Sequence, residues 1–152
     1  IEMGGAYLGD AYQNSLFLNP GQGNNRWICL QLVGTESNWS AIGSRVKVTF
    51  KENGELRQVY RDVNSGGSFG ASPLRREIGV GQADLIDEIE IRWHGSGKVQ
   101  TFTNVTPNQF LRIVEGKKTI EPVPLKTLDW ILPDRFCEPL SMDRSQPAVQ
   151  IF

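Results

Sequence analysis

This sequence predicts an all-β fold, an antiparallel β-sandwich or barrel-like domain with a proline-rich extended C-terminal tail. Three observations carry the prediction. Short runs of alternating apolar and polar residues recur between residues 24 and 116, separated by Gly and Asn, and a period of two is the mark of strands. All sixteen glycines lie at or before Gly116, as turn punctuation in a many-stranded chain requires. Five of the eight prolines lie beyond residue 116, where glycine is absent, and that density forbids long helices and central strands. Three segments follow: 1–23 as the close of a preceding unit, 24–116 as the β domain, and 117–152 as a packing tail.

In chain order, Ser15-Leu16-Phe17-Leu18-Asn19 reads as a short strand stopped by Pro20-Gly21. Residues 27–33, WICLQLV, have almost no polar alternation, so they are expected to form a central strand covered on both faces, with Trp27 in the core. Residues 35–42 are a polar loop carrying Trp39. Val46, Val48 and Phe50 then alternate with Arg45, Lys47, Thr49 and Lys51 up to Asn53-Gly54, the pair that tolerates the positive φ angles of a type I′ hairpin turn. A two-residue loop sets Glu52 opposite Glu55, Val48 opposite Val59, Lys47 opposite Tyr60 and Arg45 opposite Asp62. Arg57 and Arg61 fall on the apolar face, so this hairpin is expected near a sheet edge and only half covered.

A glycine-rich loop fills residues 64–73. A short strand over 74–78 follows, closed by Gly79-Val80-Gly81 as a turn. Ile89, Ile91 and Trp93 alternate with Glu88, Glu90 and Arg92, a strong strand pattern that places Trp93 in the core. His94-Gly95-Ser96-Gly97 is a turn, 98–102 the return strand and 103–108 a loop containing Pro107. Residues 109–115, QFLRIVE, form the last strand before Gly116. The tail keeps Leu125, Leu128, Trp130, Ile131, Leu132, Phe136 and Leu140, and so reads as an arm that packs on the sandwich or on a neighbouring domain rather than as a disordered end.

A net charge of −1 argues against an extended nucleic-acid surface, and no apolar run approaches the roughly 18 residues of a membrane span. The chain begins at Ile1 with no signal-like segment and reads as a piece of a longer protein. Cys29 and Cys137 either pair across the domain or stay as free thiols. The single histidine, His94, leaves no zinc-ligand spacing, and no metal or cofactor is expected. Gly66-Gly67-Ser68-Phe69-Gly70 matches a nucleophile elbow in letters, but the mechanism needs a strand before it and a helix after it, and a turn-rich loop is the better reading. Asp84, Asp87, Glu88 and Glu90 lack calcium-loop spacing and read as a solvated strand face balanced by Arg92. Asn38-Trp39-Ser40 and Asn104-Val105-Thr106 are glycosylation sequons. Trp39 is the best candidate for an exposed ring, and with Ser65, Ser68 and Phe69 of the glycine-rich loop it makes the candidate ligand-binding set.

The stretches NRWICLQLVGTESNWSAIGSRVKV, LRREIGVGQADLIDEIEIRW and GKVQTFTNVTPNQFLRIVEG together resemble the ASPIC/UnbV domain. The likeness rests on Leu32-Val33-Gly34, the run from Ser40 to Val46, the glycine-serine loop, Gly79-Val80-Gly81 and the turn after Trp93, in that order. His94 stands where that family usually has proline, and Glu77-Ile78 where an aromatic is common. The resemblance implies a secreted or cell-surface setting, with the domain following FG-GAP/VCBS-type β-propeller repeats, whose close residues 1–23 are similar to. It carries no catalytic residues over to this chain. The expected function is therefore a non-catalytic extracellular module for adhesion or for recognition of protein or glycan. The alternative is a structural cap on the propeller, and a hydrolase or enzyme accessory domain is the third reading.

Overall fold

A computed structural model describes residues 23–67 and 70–125. They form eight strands: β1 (Arg26–Val33), β2 (Arg45–Glu52), β3 (Glu55–Asp62), β4 (Arg76–Gly81), β5 (Ile86–Arg92), β6 (Val99–Val105), β7 (Gln109–Val114) and β8 (Ile120–Pro122). Two four-stranded sheets result, in the orders β4-β1-β7-β8 and β3-β2-β5-β6. The all-β sandwich is as expected, with one exception to its antiparallel pairing. β1 and β7 run parallel, Ile28 opposite Gln109 through Val33 opposite Val114. Parallel neighbours need a crossover, and here the whole second sheet supplies it. The segments 1–23 and 117–152 fall largely outside the described residues.

The β2–β3 hairpin has the register that its turn dictates, Glu52 opposite Glu55 and Arg45 opposite Asp62. Asn53 and Gly54 take φ of 52° and 83°, the left-handed pair of a type I′ turn. β3 is the sheet edge and is exposed along nearly its whole length. Its arginines, with the Arg45 guanidinium 5.0 Å from the Tyr60 ring centre, keep that edge charged and protect it from pairing with other chains.

The core lies between the sheets. Ile28, Leu30, Ile78, Leu111 and Ile113 from one face Val46, Val48, Ile86, Ile89 and Ile91 from the other, and Trp93 closes one end. Each large aliphatic side chain contributes about 1.5–3 kcal/mol by leaving water. Ile86 and Ile89 both point inward although they are three apart, which strict alternation forbids. A bulge resolves this: Thr49 faces Glu88 and Phe50 faces Ile86, leaving Asp87 unmatched.

Several local expectations are corrected. Gly79-Val80-Gly81 is not a turn. It belongs to β4, with Val80 fully buried, because pairing with β1 continues as far as Arg26 opposite Gly81. β6 runs on through Asn104 to Val105, since Ile86 pairs with Val105. β8 was not anticipated. Its proline sits at the strand's last residue on a sheet edge, where a missing N–H costs no ladder bond. β1 is central, but its outer face is only partly covered. Cys29 and Val33 are buried there, whereas Gln31 is exposed and Trp27 is 39% exposed rather than in the core. Glu88 and Glu90 are balanced by Lys47 of the neighbouring strand, at 3.2 and 3.1 Å, and not by Arg92. Hydrogen bonds to Glu90 and then Glu88 raise the Lys47 pKa.

Candidate functional site

The loop between β1 and β2 carries Trp39, and its shape follows from short contacts. The Gly34 N–H donates to the Trp39 carbonyl at 3.2 Å, and the Ala41 N–H to the Asn38 carbonyl at 2.8 Å. The Asn38 side chain clips the loop again, accepting from the Ile42 N–H at 2.9 Å and donating to the Ile42 carbonyl at 2.8 Å. A side chain at Gly34 has no room, because a Cβ there would lie 2.1 Å from the Asn38 carbonyl oxygen. The fold of this loop leaves the Trp39 ring 71% exposed.

Glu115, just after β7, anchors the same loop. One carboxylate oxygen accepts the N–H groups of Thr35, Glu36 and Ser37 at 2.8, 2.9 and 2.8 Å. The other accepts the hydroxyls of Ser37 at 2.9 Å and Ser96 at 2.5 Å. Burial pushes this carboxyl's pKa up, but the bonds from Ser96, Ser37 and Thr35 outweigh it and leave the pKa at about 2. Glu115 is therefore a charged clip between the two sheets. It holds no exchangeable proton near neutral pH and has no lone pair to spare for a substrate. Gln100 ties the same end together. Its Oε1 accepts from Trp93 Nε1 at 3.0 Å and from the Gly116 N–H at 3.1 Å.

Trp39 is one of the residues lining a cleft of about 350 Å³ at the β4-β1-β7-β8 sheet. Ser40 follows it in the lining, Pro73, Leu74 and Arg75 come from the segment before β4, and Gln31, Phe110 and Arg112 from β1 and β7. The walls thus combine two aromatic rings, two guanidinium groups, an amide and a hydroxyl, which is the mixture of apolar surface and directed polar groups found in ligand sites. Arg112 lies 3.9 Å from Glu121, and its Nε is buried without a hydrogen-bond partner. Arg75 bonds Glu77 at 3.1 Å.

The four predicted site residues are placed unevenly. Trp39 is at the cleft. Ser65 is exposed, and its carbonyl accepts the Ser72 N–H at 2.9 Å, which closes the glycine-rich loop, but Ser65 does not line the cleft. Among its described residues, that loop reaches the cleft through Pro73 and Leu74 at its far end. Ser68 and Phe69 lie outside the described residues, as do Cys137 and the tail beyond Leu125. Sequence reasoning missed Gln31, Arg75, Phe110 and Arg112. Gln31 and Arg112 did leave a signal, each a lone polar residue inside an apolar strand.

Other reactive groups are quiet. Cys29 is buried and unpaired among the described residues. Burial, then the charge of Glu77, pushes its thiol up to about 11 despite Arg75, so it stays protonated at neutral pH. Among the described residues no group of three or more His, Cys, Asp or Glu side chains gathers to hold a metal ion. Among the described residues no helix is long and apolar enough to cross a membrane.

The family model described as ASPIC and UnbV matches residues 34–120, more than half of the chain, and the chain belongs to that family. The match runs from the start of the Trp39 loop to the beginning of β8 and leaves out β1, although β1 is central to its sheet. No curated protein and no solved structure gave a significant match.

Proposed function

We propose that this family member is a non-catalytic extracellular recognition module, binding a protein or glycan, and that in its parent protein it follows a β-propeller. The observation that carries this reading is the exposed Trp39 ring, borne on a tightly bonded loop and lining a cleft with polar groups. An exposed ring beside amide, hydroxyl and guanidinium groups suits the faces of sugar rings and the side chains of partner proteins alike. The quiet chemistry of Glu115 and Cys29 supports a binding role over catalysis. A secreted or cell-surface location is part of the proposal and comes from the family resemblance.

The second reading, a structural cap without a ligand of its own, draws on the exposed apolar side chains of Trp27 and Leu125, which line a depression adjoining the Trp39 cleft. A glycan-array and protein-binding screen, with and without calcium, on this chain beside its longer parent separates the two. Binding by the chain alone, lost in Trp39→Ala, supports recognition. Binding by the parent only, or by neither, transfers the weight to the cap. For the hydrolase alternative, an esterase activity abolished by Ser68→Ala would overturn the non-catalytic reading.

A further inference from the structure

A second depression, of about 570 Å³, lies at the same sheet. Trp27, Gly79, Phe110 and Leu125 line it together with the charged pair Arg75 and Glu77, and it shares Arg75 and Phe110 with the Trp39 cleft. Its apolar side chains are poorly covered, Trp27 at 39% and Leu125 at 65% exposure. Gly79 sits in mid-strand with nothing within 4 Å of where a Cβ would stand, and without a positive φ. No turn or close packing among the described residues requires glycine there. Glycine in a strand interior often marks the close approach of another backbone.

We propose that this groove is the seat of the chain's own C-terminal segment, residues 126–140. The path of the backbone leads there. Beyond β8 the chain stays beside β7, the Val123 N–H donating to the Phe110 carbonyl at 2.8 Å, and two residues later Leu125 already lines the groove. The following sequence enters from the groove's own wall, at the high effective concentration of a tethered ligand. It brings Leu128, Trp130, Ile131, Leu132, Phe136 and Leu140, with Pro133 and Pro139 between them. Prolines at that spacing favour an extended course over a helix. Reach is sufficient: four strands span about 14 Å between the outer two at the usual spacing, and about five extended residues cover that distance. Burial of these side chains against Trp27 and Phe110 would remove apolar surface from water on both partners. The groove adjoins the Trp39 cleft through Arg75 and Phe110, but the argument for the tail does not use the ligand proposed for that cleft.

Hydroxyl-radical footprinting of the 152-residue chain tests it, read by mass spectrometry. The comparison is with the variant Leu128→Asp/Trp130→Asp/Leu132→Asp. Trp27 and Phe110 should oxidise several-fold faster in the variant, while buried Trp93 stays protected in both and reports an intact fold. Equal oxidation of Trp27 in the two chains overturns the proposal. So does Trp27 protection that disappears on dilution together with a dimer in size-exclusion chromatography, which would make a second copy the occupant. If the triple variant exposes Trp93, Gly79→Glu blocks the groove from its other side. That substitution has open space around it and should raise the oxidation of Trp130 several-fold. An unchanged Trp130 with Trp93 still protected overturns the proposal as well.

Discussion

Substitution of Glu115 probes the junction that holds the Trp39 loop to both sheets. In the folded protein this carboxyl titrates at about 2, against 4.5 for the free side chain. A depressed folded pKa contributes stability that is fully present above the unfolded value and is lost as pH falls through the folded one. The contribution is therefore complete above about pH 5 and declines toward pH 2. Linkage sets its ceiling at about 3 kcal/mol at pH 7 and about 1 kcal/mol at pH 3. Solvent screening at this end of the sandwich reduces the neutral-pH figure to roughly 2 kcal/mol. Glu115→Ala also strands three backbone N–H groups and should cost at least that much. Glu115→Gln keeps an oxygen for the Thr35, Glu36 and Ser37 N–H groups, and the Ser37 and Ser96 hydroxyls can turn to accept from its amide, so it should cost less. Urea unfolding at pH 7 and pH 3, for wild type and both variants, provides the measurement. The expected result is a wild-type advantage over Glu115→Gln that shrinks by about 1 kcal/mol or more between the two pH values. An advantage that is the same at both, or a wild-type chain no more stable than Glu115→Ala at pH 7, would refute the reasoning.

Three further outcomes are expected. Gly34→Ala should destabilise by more than about 2 kcal/mol in urea unfolding, a cost drawn from forced backbone distortion, because its Cβ would meet the Asn38 carbonyl oxygen at 2.1 Å; a loss below 0.5 kcal/mol, the usual bound for a neutral surface change, would contradict the loop geometry. Ile91→Ala, at a fully buried position between the sheets, should cost about 2–5 kcal/mol by the same assay. Trp39→Ala should change stability by less than about 0.5 kcal/mol and leave the circular dichroism spectrum unaltered, so that any loss of ligand binding in that variant reports contact rather than unfolding.

The sequence by itself determined what depends on neighbours along the chain. Alternation of Val46, Val48 and Phe50 and the Asn53-Gly54 turn specify the first hairpin down to its residue pairs, because a two-residue turn with two positive φ angles permits one register. Trp93 in the core and Trp39 in water are legible for the same reason, one inside a period-two strand and the other in a polar loop. The tertiary structure decided everything set by contacts between distant segments. The parallel pairing of β1 with β7, the partnership of Lys47 with Glu88 and Glu90, and the clip from Glu115 to Thr35, Glu36, Ser37 and Ser96 join residues far apart in sequence. The cleft beside Trp39 belongs to this second class, since Gln31, Arg75 and Arg112 come from three different strands or their flanks. Trp27 shows the boundary between the two. Periodicity places it in an apolar strand, but whether that strand's outer face is covered depends on what packs across it, and local pattern carries no information about a partner that comes from elsewhere in the chain.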